Sequence, residues 1–130
     1  MAIKEKFELE YTFKTSSKVL DKLLTTPEGL TEWFADEVLV DGDIYNFHWD
    51  GSEEQARLIQ KKAGEGIKLQ WVNDEDEGND TFFEMKYSID PTTKVAVLTI
   101  SDFADKSEHD QSKRLWESQV MDLRRKIGTM

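Results

Sequence analysis

The sequence predicts an α+β fold: a curved seven-stranded antiparallel sheet, two short helices after the first strand, and a long C-terminal helix packed across the sheet. Three observations predict it. Apolar residues alternate with polar ones near the N-terminus and again over 37–103, where only turn residues break the pattern. Two capping signals follow each other closely between these stretches. The last segment carries apolar residues at steps of four, three and four, which is the spacing of a helix with one buried stripe.

In the first strand, Phe7, Leu9, Tyr11 and Phe13 alternate with Lys6, Glu8, Glu10 and Thr12, so one face is buried. Thr15-Ser16-Ser17 then supplies capping hydroxyls, and Val19, Leu20, Leu23 and Leu24 fall at helical spacing. Thr26 before Pro27 repeats the signal with a proline at the first helical position, which opens a second helix through Leu30, Trp33 and Phe34.

From Glu37 the period becomes two. Val38-Leu39-Val40 and the run 44–49 flank Asp41-Gly42, a dipeptide that tolerates the positive φ of a tight hairpin. Asp50-Gly51 turns the chain into a strand over 55–62, and Gly64-Glu65-Gly66 turns it into another over 67–72. An acidic loop over 73–80 leads to a strand over 82–89, and Pro91-Thr92-Thr93 turns that into the last strand, 95–103. Connections this short suit antiparallel neighbours and rule out parallel crossovers.

The final helix is expected to begin near Asp105 or Ser107. Glu108 and Asp110 stand in its first turn, and Arg124-Arg125-Lys126 in its last turn offset the negative end of the macrodipole. Its stripe of Trp116, Val120, Leu123 and Ile127 needs an apolar surface to cover it. Three strands offer one: Tyr45, Phe47 and Trp49 share a face, as do Ile67, Leu69 and Trp71, and Phe83, Met85, Tyr87 and Ile89. A long helix over a curved sheet tends to leave a cleft. The residues expected to line it are Phe47, Trp49, Leu69, Trp71, Phe83, Met85, Tyr87, Trp116, Val120 and Leu123.

With 130 residues the chain is expected to form one domain over 1–130. It has no cysteine, which removes disulfides, thiol nucleophiles and thiolate metal sites. The net charge of −10, from 27 acidic and 17 basic residues, repels phosphate backbones, so nucleic acid is not an expected partner. Residues 1–6 run directly into alternating charged sequence, and no apolar run approaches the roughly 20 residues that span a bilayer. A cytoplasmic protein without integral membrane association is expected.

No catalytic, metal or cofactor signature stands out. Alternation turns His48 away from Trp49 toward solvent, so His48-Trp49-Asp50 reads as ordinary strand rather than an acid–base pair. The carboxylate-rich stretch 74–80 lacks the ligand register of a calcium loop and reads as a solvated turn. Among the inferred inner-face residues, only Tyr45 and Tyr87 are titratable.

The order of a strand, two helices, six strands and a long helix resembles the helix-grip arrangement of START-like and birch-pollen-allergen-like domains. Within that superfamily the segment 17–34, with Thr26-Pro27-Glu28 leading to Trp33-Phe34, resembles the opening of the heat-shock-protein-ninety ATPase-activator homologues. Trp71, closing a strand after Gly66, also matches their pattern. Their glycine-rich turn before the strand of Tyr45 and Phe47 is reduced here to Val40-Asp41-Gly42-Asp43.

The resemblance implies one of three functions. The first is a non-catalytic module holding a small hydrophobic or amphipathic ligand, lipid-like or a ring compound, between the last helix and the sheet. The second is a chaperone-associated interaction protein of the ATPase-activator type, and the third is a polyketide-cyclase-like enzyme. The superfamily's oxygenase branch needs two histidines and a carboxylate for iron, and nothing brings His48 and His109 together.

Overall fold

The computed structural model describes residues 4–128; residues 1–3, part of the charged N-terminal stretch, lie outside them. The chain runs β1 (Lys4–Lys14), α1 (Ser17–Thr25), α2 (Pro27–Trp33), β2 (Glu37–Asp41), β3 (Ile44–Trp49), β4 (Ser52–Lys62) and β5 (Gly66–Trp71). It continues through α3 (Val72–Asp76), β6 (Phe83–Ile89), β7 (Val95–Asp105), a 3-10 turn (Lys106–Glu108) and α4 (His109–Gly128). One sheet in the order β1-β7-β6-β5-β4-β3-β2 holds all seven strands, and every neighbouring pair is antiparallel. The predicted helix-grip architecture is the one observed.

The helix signals act as read. Ser16 Oγ accepts from Val19 N at 3.2 Å to open α1. Thr26 Oγ1 accepts from Gly29 N at 3.0 Å and donates to Lys22 O at 2.7 Å, so one hydroxyl ends α1 and begins α2. A side chain at Gly29 would run into the Lys22 carbonyl, so only glycine lets the two helices cross this closely. Leu20, Leu23, Leu24 and Leu30 are fully buried beneath them.

The hairpins differ in detail from the expected turns. Asp41 pairs with Ile44, so Gly42 and Asp43 form the turn and Asp41 belongs to the strand. Strand β4 begins at Ser52, directly after Asp50-Gly51, and bulges between Leu58 and Gln60, which leaves Ile59 exposed and bends the sheet. Gly66 has φ +136°, and a Cβ there would overlap the Met85 carbonyl oxygen. That turn therefore requires glycine.

The acidic stretch is solvated over Asp76, Glu77, Gly78 and Asp80, as the sequence suggests, but it opens with a helical turn and one carboxylate that is buried. Val72–Asp76 forms α3, and Asp74 is buried, with Oδ1 2.6 Å from Lys4 Nζ and Oδ2 accepting from Thr81 Oγ1 at 2.7 Å. Burial pushes its carboxyl up, but the Lys4 and Thr81 hydrogen bonds, with the Lys4 charge, outweigh this and hold it below 3.8. A carboxylate whose lone pairs are engaged in this way ties α3 to β1.

The last helix starts later than expected, through a 3-10 turn capped by Asp105, whose side chain accepts from Ser107 N at 3.1 Å. His109 Nε2 lies 2.9 Å from Ala104 O and 3.1 Å from Glu5 O, which holds the start of α4 against β7 and β1. Trp116, Val120 and Leu123 are buried and Ile127 is half-buried. At the other end Arg124 donates to Thr12 O at 3.0 Å and lies 4.4 Å from the centre of the Phe13 ring. It clamps α4 to β1, a role beyond offsetting the helix dipole.

Candidate functional site

Helix α2 stops at Trp33, and its last carbonyls have no partner within the helix. The carbonyl of Phe34 accepts from Trp49 Nε1 at 2.9 Å and from Gln119 Nε2 at 3.1 Å, so one backbone oxygen joins α2, β3 and α4. The Phe34 ring is almost wholly buried. Its centre lies 5.1 Å from Phe47, 5.8 Å from Trp49, 6.0 Å from Phe83 and 5.8 Å from Trp116. Rings at such separations gain from edge-to-face and offset stacking beyond their burial.

Around this hub, β3 and β5 both end in tryptophan. Trp49 and Trp71 stand 6.4 Å apart, and Trp71 stacks on Phe83 at 4.7 Å. The middle of α4 passes over them with Leu115, Trp116 and Gln119. Between helix and strand ends lies a cleft of about 370 Å³, lined by Phe34, Trp49, Glu54, Trp71, Asp102, Leu115, Trp116 and Gln119. That volume falls near the lower end of small-molecule sites, roughly 300–1,000 Å³. A wider groove of about 670 Å³ shares Phe34, Trp49, Leu115 and Gln119 and runs between α2 and α4 to Arg125 and Lys126.

One carboxyl reaches the inside of the cleft. Asp102 Oδ2 accepts from Trp116 Nε1 at 2.7 Å, and Oδ1 accepts from Phe103 N at 2.7 Å. Burial raises its pKa above 3.8, and the two hydrogen bonds only partly oppose this. Asp74 adds a further push upward, and Lys4 works against it. Glu54, exposed on β4 opposite Phe47, supplies a second carboxylate on the cleft wall.

Of the ten residues expected to line the cleft, Trp49, Trp71 and Trp116 do so. Phe47, Leu69, Phe83 and Met85 are fully buried, with Val120 and Leu123 beside them in the core. Tyr87 is also buried. Its hydroxyl meets Ser17 Oγ at 2.9 Å and Asp21 Oδ1 at 3.4 Å, which ties β6 to α1, and it does not border the cleft. Burial pushes the hydroxyls of both Tyr45 and Tyr87 above 10.0. The titratable groups of the cleft are Asp102 and Glu54 instead, which corrects the expectation that only the two tyrosines could serve.

Phe34, Glu54, Asp102, Leu115 and Gln119 were not anticipated as site residues, although two had a readable signal. Asp102 shares its alternation with Ala96, Leu98 and Ile100, and Glu54 shares its own with Ala56, all inward-facing. Extending those strands by one pleat places both carboxylates on the inner side. His48 is half-buried, with Nδ1 3.8 Å from Glu53, and no cluster of metal-binding side chains occurs among the described residues.

A family model described as a START-like superfamily domain matches residues 1–129. A Bacteroides fragilis protein solved by NMR in solution is 37% identical over 97% of this chain and 92% of its own, with a TM-score of 0.64. The Aha1 dimer from Colwellia psychrerythraea is similar in structure, with a TM-score of 0.79 at 12% identity over 95% and 96% of the two chains. So is DynU16, a putative protein in the dynemicin biosynthetic locus, with a TM-score of 0.71 at 15% identity over 95% of this chain and 47% of that one. These last two likenesses bear on fold alone. No curated protein matches the chain significantly.

Proposed function

This chain belongs to the START-like superfamily, and from that premise we propose that it is a binding module whose cleft holds a small apolar or amphipathic ring compound. The observation that carries the reading is the convergence of Trp49, Trp71 and Trp116 around Phe34 on a single cleft of ligand size. Aromatic walls grip flat apolar bodies through stacking and dispersion, and a few polar groups set orientation. Leu115, 63% exposed at the edge of the cleft, extends the apolar surface outward.

The test is saturable binding of an uncharged fluorescent probe, Nile red, to the native protein, followed through its own emission and that of the tryptophans. Binding at one site, weakened about tenfold by Trp71→Leu, supports the reading. No saturable binding by the native protein sinks it and leaves the chaperone-associated reading, which uses the outer surface and predicts stimulation of a chaperone ATPase.

A second reading has one observation in its favour. Asp102 places a carboxyl of raised pKa within the cleft, the acid–base group that a cyclase-like enzyme requires. Turnover of a bound ring compound that disappears in Asp102→Asn, with binding retained, would favour it.

A further inference from the structure

The charge inside the cleft says which ring compounds suit it, given that it binds them at all. Most hydrogen-bond donors on its walls are already engaged: Trp49 Nε1 and Gln119 Nε2 donate to Phe34 O, and Trp116 Nε1 donates to Asp102. The Glu54 carboxylate makes no ion pair or hydrogen bond among the described residues, and each Asp102 oxygen keeps a lone pair after its one bond. The donors left over, on Trp71 and the second N–H of Gln119, carry no charge. Among the described residues no basic side chain lines the cleft.

The surroundings deepen the imbalance. Behind Trp71 and Glu54 the surface continues into a depression bordered by Lys4, Asp74 and Glu77, where Lys4 is held 2.6 Å from Asp74. Arg125 and Lys126 lie out in the adjoining groove, where Glu32, Asp36 and Asp122 outnumber them and Arg125 pairs with Asp122 at 3.0 Å. Indole faces are themselves negative, so they add to the attraction for a cation. A carboxylate ligand would meet two carboxylates and no cation in a partly desolvated space, where like charges repel strongly.

We propose that the ligand is a small organic cation, a protonated amine on an apolar ring body, with the ring among Trp49, Trp71 and Trp116 and the ammonium directed to Glu54 and Asp102. Aromatic walls, acidic groups and the absence of a lining cation all select this chemistry. Fatty acids and other anionic amphiphiles are selected against.

Three probes of one shape test this: 2-(1-naphthyl)ethylamine, 2-(1-naphthyl)ethanol and 1-naphthylacetate. Each is titrated by calorimetry, and the indole N–H resonances of Trp71 and Trp116 report where it sits. The amine should bind about tenfold tighter than the alcohol, and the acetate weakest of all. Glu54→Gln combined with Asp102→Asn should reduce the preference for the amine over the alcohol to about threefold or less. If the alcohol binds as tightly as the amine, or the acetate binds best, the charge assignment is overturned while the ring-binding cleft stands. If none of the three moves the indole resonances, both are overturned.

Discussion

Replacing Trp116 by Phe keeps an aromatic ring in the core and removes one hydrogen-bond donor, so it tests the bond to Asp102 together with a smaller loss of packing. Trp116 is 5% exposed, and its Nε1 lies 2.7 Å from Asp102 Oδ2. A hydrogen bond to an ionised partner is worth about 1.5–3 kcal/mol, and the smaller ring gives up about 1 kcal/mol of packing. The expected loss near neutral pH is therefore about 3 kcal/mol, or ~10 °C in Tm for a chain of this size.

The loss should depend on pH with a definite sign. Burial raises Asp102 above 3.8, so its contribution to stability is complete below 3.8 and is lost as pH rises through the folded-state value. Without the Trp116 N–H that value rises further, and ionisation costs more. Urea unfolding over about pH 4 to 8 should show the difference between variant and parent growing with pH and shrinking toward the packing part in acid. In an Asp102→Asn background most of the pH dependence should vanish. A loss that is the same at every pH, or a coupling below about 0.5 kcal/mol in the double-mutant cycle, would refute the reasoning.

Asp74 should behave in the opposite sense: held below 3.8 by Lys4 and Thr81, it stabilises above that value and ceases to as pH falls through its lowered one. Asp74→Asn should cost about 1 kcal/mol at neutral pH and little in acid, with the partial exposure of Lys4 limiting the effect; urea titration at the two pH values checks it. Gly66→Ala combines a strained φ with overlap on the Met85 carbonyl and should cost about 2–4 kcal/mol, whereas Gly78→Ala, at φ +77° in open space, should cost about 1 kcal/mol; thermal midpoints of the two variants separate the causes. Truncation before Ser107 removes Trp116, Val120 and Leu123 from the core, each worth roughly 1.5–3 kcal/mol, and should abolish the cooperative thermal transition.

Elements whose cause is local were legible in the chain. Alternation over β1 and β3, the Ser16 and Thr26 caps, the glycine turns and the α4 stripe each follow from a few neighbouring residues, and together they led to the sheet with its covering helix. In the acidic segment the sequence foretold the solvated carboxylates but gave no sign that Asp74 would be buried among them. The partners of Asp74, chiefly Lys4 far back in the chain and Thr81 beyond the helix, make burial of that carboxylate favourable.

By itself the sequence determined which side of the sheet the side chains of β1, β3, β5 and β6 face, because period two assigns faces without reference to anything distant, whereas the bulge in β4 interrupts that period. It could not determine depth along that face. Phe47, Leu69 and Met85 share faces with Trp49, Trp71 and Tyr87, yet they lie in the closed core while the tryptophans at the strand ends meet the cleft. Where α4 crosses decides between these outcomes, and its position is set by tertiary bonds: His109 to Ala104 and Glu5, Gln119 to Phe34, Arg124 to Thr12. The same crossing brings Trp116 onto Asp102 and encloses that carboxyl. Local periodicity chose the residues available to the cleft, and the packing of one helix over the sheet decided which of them border it.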